Sequence, residues 1–242
     1  MIIPDIELHC HLWYSDKYKN LLDKLGSKFN NRINLSLISG CDHNDKIIEY
    51  AKSKFKDVRY VTVDNCGTDQ NGFLKSYDVN KEMKEWVLYT HDKADETWTM
   101  DLVDPLLTDE ALKYCEDGES GIITSSKRHT ILPSQEEIDN QCQKTLPELK
   151  HTVIPLQSTI IWLTQLQDNL KQLHHMQDTL LNLEFTAGTM FLSRSLILRL
   201  AHTCVEPEFF KTGHQPDGEV EHAMERFYFY VNNCLNLKHR RI

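Results

Sequence analysis

The chain has 242 residues, of which 40% are hydrophobic, and a formal net charge of −9. This length suits a single α/β domain, and this hydrophobic fraction supplies a sizeable core, which excludes general disorder. No run reaches the roughly 18 apolar residues that a membrane span needs, and the negative charge opposes non-specific binding to nucleic acid. We therefore predict one domain over residues 1–242, with no membrane span and no nucleic-acid partner.

The start of the chain and its cysteines indicate the compartment. The first residues, MIIPDIELHCHLWY, have neither the basic region nor the small-residue cleavage site of a signal peptide. Seven cysteines are scattered without any C-x-x-C pair, a pattern typical of reduced thiols. We therefore expect a cytoplasmic protein.

Short strand-like runs alternate with helical patterns over the first 125 residues. The apolar, β-branched runs predict five strands, at 6–14, 33–39, 58–63, 86–91 and 121–126. Apolar residues at helical spacing predict one helix through Leu21 and Leu25 and another over 44–56, which Asn44 would cap. Strands interleaved with short helices indicate an open, mostly parallel sheet with flanking helices. The predicted fold class is therefore α/β.

The second half begins with a long helical pattern. Leucines recur at spacings of three and four from Gln157 to Leu183, which predicts one long amphipathic helix or two in succession. Such a helix packs one stripe on the core, and a coiled-coil dimer contact is the alternative, so the oligomeric state stays open. A strand over 184–193, a helix over 195–202 and a last helix from about Asp217 complete the predicted order.

Polar side chains follow the predicted strands at their carboxyl ends, where open α/β sheets bind ligands. His11 and Tyr14 end the first strand, the segment 65–69 follows the third, and the segment 91–95 follows the fourth. We therefore expect a ligand site at this edge of the sheet.

Two of these segments predict different contacts. In NCGTD (65–69), Gly67 lets backbone amides approach a ligand, and the carboxylate of Asp69 comes two residues later. The alternative is a turn that starts a helix. The second segment, HDKAD (91–95), places two carboxylates around one lysine. Carboxylates with retained waters hold Mg²⁺ or Mn²⁺ against phosphate oxygens, and the alternative is a solvated charged loop.

A third charged segment, PDGEVEHAMER (216–226), opens the last predicted helix. Asp217 stands at or near its start, where such residues often serve only as caps. The helix carries Asp217, Glu221 and Glu225 on one face and a second set of charged residues on another. That density of ionisable groups exceeds what capping requires.

Four motifs resemble, in this order, the rhamnan synthesis protein F family of glycosyltransferases: NCGTD (65–69), HDK (91–93), FTAGTMF (185–191) and DGEVEHAMER (217–226). The resemblance extends from His11 and Tyr14 to Arg226, and its last two motifs are the specific ones. It implies a GT-A fold, a nucleotide-sugar donor, a divalent metal and transfer to a growing surface polysaccharide.

The resemblance also implies roles for individual residues. The nucleoside pocket would be lined by His11, Tyr14, Asn65 and Asp69, with Gly67 in the same turn. Positive charge near the diphosphate would come from Lys93 and Arg226. The floor under the transferred sugar would be Gly188, Thr189 and Met190. Asp217 would be the general base that takes the proton from the acceptor hydroxyl, giving inversion at the anomeric carbon. Trp98 is a candidate stacking surface for an acceptor sugar, and a tryptophan of the core is the alternative.

The predicted metal ligands come from a departure from the family. The family commonly has H-T-K-K-S where this chain has HDKAD (91–95), and a strict Asp-x-Asp metal element is absent. The added carboxylates predict a variant of that element. Asp92 or Asp95, with His222, would hold Mn²⁺ or Mg²⁺, which bridges the diphosphate and offsets leaving-group charge.

Two other functions fit parts of the sequence. His9 and His11 end the first strand like the H-x-H pair of a metal-dependent hydrolase, with Asp217 as a later ligand. A non-catalytic sugar-nucleotide-binding or assembly subunit would use the 157–183 helix as its interface. Zinc retained after purification would favour the hydrolase, whereas exchangeable Mn²⁺ would favour the transferase.

Overall fold

A computed structural model describes residues 5–80, 84–127, 129–131, 150–174, 184–210 and 220–242 of the chain. Its strands in chain order are β1 (Ile6–Leu12), β2 (Arg32–Ile38), β3 (Asp57–Val63), β4 (Trp86–His91), β5 (Ser120–Thr124), β6 (His129–Ile131), β7 (Glu184–Thr186), β8 (Phe191–Arg194) and β9 (Lys238–Arg241). Its α-helices are α1 (Tyr18–Lys28), α2 (Asn44–Lys52), α3 (Thr68–Asn80), α4 (Glu96–Leu106), α5 (Asp109–Cys115), α6 (Lys150–His174), α7 (Ser195–His202) and α8 (Val220–Cys234). Within these ranges, no helix is both long and apolar enough to cross a membrane.

Seven strands form one open sheet in the order β3-β2-β1-β4-β8-β5-β9. Strands β3, β2, β1 and β4 pair in parallel, β8 runs antiparallel to both of its neighbours, and β9 pairs in parallel with β5. Strands β6 and β7 form a separate two-stranded ribbon. The predicted fold class, an α/β open and mostly parallel sheet with flanking helices, is confirmed.

The helices bury two apolar clusters. Every second residue of β1, from Ile6 to Leu12, belongs to a cluster with buried residues of α1, α2, α4 and α5. Buried residues of α3, α6, α7 and α8 form the second cluster. Because side chains alternate along a strand, the opposite face of β1 presents Glu7, His9 and His11, all buried. The polar residues at the end of β1 therefore lie on the side of the sheet that α3 covers.

The strand order reverses between β1 and β4. The chain builds β2 and β3 on one side of β1 and then returns to place β4 on the other side. In the resulting register, His11 lies opposite His91. The crevice beyond the carboxyl ends of strands at such a switch point is where open α/β sheets bind ligands. The topology therefore supports the predicted location of the site.

Two predictions of local structure are wrong. Asn44 is the first residue of α2 and does not cap it, because its side-chain Nδ2 donates to the carbonyl of Ile38 at 2.8 Å. The single strand predicted over 184–193 is two strands. Gly188 and Thr189 have φ angles of 101° and 48°, so they turn the chain between β7 and β8. Strand β7 then pairs in the ribbon, whereas β8 enters the main sheet.

Other predicted boundaries shift or lie outside the described residues. Helix α3 begins at Thr68, so the NCGTD segment does start a helix. Helix α6 begins at Lys150, earlier than predicted, and the segment 175–183 is not described. The predicted start of the last helix at Asp217 also lies outside the described residues, which resume at Val220 in α8.

Gly72 lets α3 pack closely on β1. A Cβ at this position would lie 2.3 Å from Nδ1 of His11 and 3.0 Å from Oγ of Ser36. Replacing glycine by alanine inside a helix stabilises the helix by about 1 kcal/mol. At Gly72 the overlap would instead force α3 away from the sheet, which destabilises the fold. We expect Gly72→Ala to lower the free energy of unfolding by about 1–3 kcal/mol in urea denaturation. Gly26→Ala in α1 is the matched control. Its new Cβ would lie 3.1 Å from Cβ of Lys54, a smaller overlap than the 2.3 Å contact at Gly72, so its effect on the free energy of unfolding should be smaller. Equal effects of the two variants would contradict the close-packing role.

Candidate functional site

A cavity of about 620 Å³ opens beyond the carboxyl ends of β1 and β4. Its walls come from the segment after β1, the start of α3, the segment from β4 into α4, and the first turns of α8. The described residues that line it are His11, Trp13, Tyr14, Asn65, Asp69, Gln70, His91, Asp92, Lys93, Ala94, Asp95, Trp98, Glu221, His222 and Glu225. Its volume is in the range of about 300–1,000 Å³ that is typical of small-molecule sites.

Asp69, in the first turn of α3, brings a negative charge into this cavity. Its Oδ2 lies 3.7 Å from Nε2 of His91. The same oxygen accepts hydrogen bonds from Nε2 of Gln70 at 2.8 Å and from the Tyr89 hydroxyl at 3.2 Å. Burial raises the pKa of Asp69, but the facing His91 and the Lys93 ammonium outweigh burial, so the pKa lies below its usual value. Asp69 is therefore ionised at neutral pH.

Burial acts on the two histidines near the carboxyl ends of β1 and β4. Burial lowers the pKa of His11 to about 4 and also lowers that of His91. Nδ1 of His11 lies 2.9 Å from the hydroxyl of Ser36, and Nε2 of His91 donates to the carbonyl of Gly188 at 2.6 Å. Both rings are therefore fixed in orientation, and burial disfavours their charged forms.

Asp92 ties the end of β4 to the chain that leaves β1. Its two carboxylate oxygens accept the backbone N–H groups of Trp13 at 2.9 Å and Tyr14 at 2.8 Å. Its own backbone N–H donates to the carbonyl of His11 at 3.1 Å. Burial raises the pKa of Asp92 to about 7, although the two amides act to lower it. Asp92 thus positions the segment after β1 and keeps it against the cavity.

The start of α4 positions Lys93. Asp95 caps this helix, since its Oδ1 accepts the backbone N–H groups of Thr97 at 2.9 Å and Trp98 at 3.4 Å. The Lys93 ammonium lies over the Trp98 ring, 5.2 Å from its centroid, in a cation–π contact. Lys93 is the one lysine or arginine among the described residues that line the cavity.

The turn between β7 and β8 lies behind the cavity and holds two of its side chains. The carbonyl of Gly188 accepts the His91 hydrogen bond. The backbone N–H of Gly188 and the hydroxyl of Thr189 both donate to Oε1 of Glu225, at 3.1 and 2.7 Å. Glu225 belongs to α8 and lines the cavity. The turn therefore links the end of β4 to a helix that is distant in sequence.

The sequence matches the family model of rhamnan synthesis protein F over residues 3–236. The chain belongs to the rhamnan synthesis protein F family. Among solved structures it is similar to a crystal structure of S. aureus TarS 1-349, with 13% identity, a TM-score of 0.45 and coverage of 93% of this chain and 56% of that one. A crystal structure of S. aureus TarS gives 12% identity, a TM-score of 0.46 and coverage of 98% and 37%. The chain thus spans about half or less of these TarS chains, and no curated protein matches it.

Most residues predicted for the site of this rhamnan synthesis protein F family member meet at one cavity. Nine residues from four separate parts of the chain line it: His11, Tyr14, Asn65, Asp69, Asp92, Lys93, Asp95, Trp98 and His222. Their contacts with a ligand stay predictions, and Asp217, the predicted catalytic base, lies outside the described residues.

Five other predicted residues are not among the described residues that line the cavity: Gly67, Gly188, Thr189, Met190 and Arg226. Gly67 has a φ of 64°, and a Cβ there would lie 2.3 Å from the Phe210 ring, so its close approach is to the protein itself. Met190 is buried in the apolar core, and the Arg226 guanidinium lies 4.4 Å from the centroid of the Phe185 ring. The contacts of Gly67, Met190 and Arg226 are thus with the protein's own side chains.

The predicted metal ligands have structural contacts of their own. Asp92 and Asp95 accept backbone N–H groups, and His222 belongs to α8. Among the described residues, no group of three or more His, Cys, Asp or Glu side chains has the arrangement to hold a metal ion. The residues described here therefore do not fit a complete metal site, and metal dependence stays a prediction.

His9 gives no support to the H-x-H interpretation of a hydrolase. Its Nδ1 lies 2.9 Å from the Ser76 hydroxyl, and its Nε2 lies 3.0 Å from Oε1 of Glu7. His9 is 1% exposed and is not among the described residues that line the cavity with His11. Its ring nitrogens are thus engaged in a buried network under α3.

Gln70 and Glu225 also line the cavity, although no sequence motif predicts a contact for either residue. In the sequence Glu225 is part of a charged helix face, and its position one turn after Glu221 places both residues on the same side of α8. Gln70 follows Asp69 directly and carries no signal in the sequence. Their proximity to the cavity depends on contacts with distant residues, which a local pattern does not contain.

The neutral state of His11 predicts a pH dependence of stability. Its pKa is about 4 in the folded chain and 6.5 in the unfolded chain, so the unfolded state binds more protons between these values. The neutral His11 therefore contributes to the free energy of unfolding above pH 6.5, and this contribution is lost as the pH falls toward 4. We expect wild type to lose up to about 3 kcal/mol more than His11→Gln between pH 7 and 4 in urea denaturation. Parallel pH profiles of the two proteins would show that His11 is not held neutral.

Proposed function

We propose that this protein is a glycosyltransferase that moves a sugar from a nucleotide diphosphate, UDP or dTDP, to a glycan or polysaccharide acceptor. The observation that carries the proposal is the cavity at the switch point between β1 and β4. It occurs in a chain whose family is named for the synthesis of rhamnan, a polysaccharide. Polar and charged groups from several strand ends converge on it, as catalysis on a phosphorylated sugar requires.

The charged residues that line the cavity are mostly acidic, which favours a bound cation beside an anionic ligand. Besides Asp92, whose pKa is about 7, four acidic residues line it: Asp69, Asp95, Glu221 and Glu225. Lys93 is the one lysine or arginine among the described lining residues. A diphosphate adds further negative charge, and like charges at close range oppose its binding. We therefore propose that Mn²⁺ or Mg²⁺ accompanies the diphosphate, with Lys93 as the protein's own cation. A bound divalent ion would offset the charge of the departing nucleotide.

The nucleoside is proposed to lie against the strand-end wall. Asn65 offers an amide and Asp69 an ionised carboxylate, which can donate and accept hydrogen bonds to a base or ribose. Tyr14 adds an aromatic ring on the same wall, and Asp92 fixes the backbone that carries it. On this side of the cavity Asp92 holds the backbone of Tyr14, and the Tyr89 hydroxyl holds Asp69.

Asp217 is the proposed catalytic base. In the sequence it stands shortly before Val220, the first residue of α8, and the first turns of this helix line the cavity. A carboxylate here takes the proton from the acceptor hydroxyl while the hydroxyl oxygen forms its bond to the anomeric carbon. The bond from that carbon to the diphosphate breaks at the opposite face, which inverts the configuration.

Metal-assisted binding is tested by calorimetry. We expect UDP or dTDP to bind more tightly with Mn²⁺ than with EDTA, because the metal offsets repulsion between the diphosphate and the acidic wall. Uridine and thymidine, which lack the phosphates, are the controls and should bind without regard to metal. The same diphosphate affinity with and without metal would remove the metal from the proposal. Absence of binding for both nucleotides would remove the nucleotide-sugar donor itself.

Asp217→Asn tests the catalytic base. The amide keeps the shape of the side chain but does not accept a proton, so turnover should fall by about 10²–10⁴-fold. Donor affinity should stay near wild type. Asp168→Asn is the matched control, since this exposed carboxylate of α6 pairs with Lys171. Transfer activity of Asp217→Asn within a few-fold of wild type would place the base elsewhere, among Glu219, Glu221 and the carboxylates of 91–95.

A further inference from the structure

The turn at Gly188 and Thr189 holds a carboxylate at the cavity through an unusual backbone conformation. Thr189 has a φ of 48°, a left-handed conformation that is an outlier for a β-branched residue, and Gly188 has a φ of 101°. In this conformation the Gly188 N–H and the Thr189 hydroxyl both reach Oε1 of Glu225. Such conformations persist where the surrounding structure over-determines them, and they concentrate at ligand sites. Glu225 is therefore the carboxylate that this strained turn positions.

The turn holds Oε1 of Glu225, and Oε2 can still accept a hydrogen bond. Both hydrogen bonds from the turn go to Oε1. Among the described residues, the contact of Oε2 is an ion pair with Nη1 of Arg226 at 3.7 Å, which is beyond hydrogen-bond distance. The Glu225 side chain is 17% exposed and lines the cavity. Because each carboxylate oxygen can accept two hydrogen bonds, Oε2 can accept from a ligand.

Lys93 lies against the same turn. A Cβ at Gly188 would be 3.3 Å from Cε of Lys93 and 3.2 Å from Nε1 of Trp98, so the lysine stem crosses the glycine in contact. The absence of a side chain at Gly188 therefore leaves room for Lys93. Since Glu225 is bonded to the N–H of Gly188, a cation and a carboxylate both border this one residue.

We infer that Oε2 of Glu225 accepts a hydrogen bond from a hydroxyl of the donor sugar, while Lys93 contacts the diphosphate to which that sugar is bonded. The inference rests on the proposed function. A carboxylate repels a phosphate but binds a hydroxyl strongly, since hydrogen bonds to an ionised acceptor are about twice as strong as neutral ones. The donor sugar is covalently attached to the diphosphate. If Lys93 contacts the diphosphate, the hydroxyls nearest to Glu225 are therefore those of the donor sugar. Glu225 is thus a specificity residue for the transferred sugar.

Glu225→Gln tests this contact. The amide oxygen can still accept from Gly188 and Thr189, but the charge and the second acceptor are lost. On the full chain with saturating Mn²⁺, we expect the Kd of the sugar nucleotide to rise about 10- to 100-fold and that of the bare diphosphate to change less than about threefold. The probes are dTDP-rhamnose with dTDP and UDP-glucose with UDP, and the pair that wild type binds is used. Glu49→Gln, an exposed carboxylate of α2 paired with Lys52, is the control and should change neither Kd.

The outcomes separate this inference from the proposed function. An equal rise in both dissociation constants, or no rise in either, overturns the sugar contact of Glu225. Wild type that binds neither sugar nucleotide overturns the proposed function itself. If Glu225→Gln does not unfold cooperatively, Thr189→Val replaces it, because valine keeps the side-chain shape and removes one donor to Oε1. A several-fold rise for the sugar nucleotide alone then supports the contact, and any other result overturns it.

Discussion

Strands β1 and β4 pair in parallel with His11 opposite His91, and the cavity is built outward from this seam. Asp92 closes the seam, because its N–H donates to the carbonyl of His11 and its carboxylate accepts the amides of Trp13 and Tyr14. Buried backbone groups need partners, so the chain that leaves β1 stays where this carboxylate holds it. The same seam is the point where the strand order reverses, which leaves an open crevice next to it. The backbone hydrogen bonds at Asp92 thus form one wall of the cavity, and the reversal of strand order leaves the space beside it for a ligand.

The turn at Gly188 and Thr189 connects this seam to α8. Its carbonyl accepts from His91, and its N–H and hydroxyl donate to Glu225. A β-branched residue in a left-handed conformation is unfavourable on its own, and these hydrogen bonds offset that penalty. The AGTMF segment (187–191) and the HAMER segment (222–226), which belong to the two specific motifs, therefore contact each other through Gly188, Thr189 and Glu225. Burial also lowers the pKa of His91, and Lys93 is the one lysine or arginine among the described residues that line the cavity.

Much of the fold and part of the site were predictable because they depend on local patterns. The period of two along β1 and the helical spacing in α1, α2 and α7 decide which face of each element is buried. Interleaved strands and helices then indicate a parallel sheet, and parallel strands place their carboxyl ends at one edge. For this reason Tyr14, Asp69, Lys93 and others from separate segments were correctly expected at one edge. The cap predicted at Asn44 is wrong because its amide instead donates to the carbonyl of Ile38 in the preceding strand, a contact that the local pattern does not contain.

The amino-acid sequence by itself determined the class of sheet, the positions of its first five strands along the chain and the group of polar residues at its carboxyl edge. Only the tertiary structure decided what each polar group contacts. Asp92 binds backbone amides 78 and 79 residues away, and the break between β7 and β8 is held by a contact between Gly188 and His91 over 97 residues. Strand β9 carries the charged run KHRR and forms by pairing with the edge of β5. Periodicity encodes which face of an element is buried, whereas the partner of a buried hydrogen-bonding group is set by segments that meet only in the folded chain.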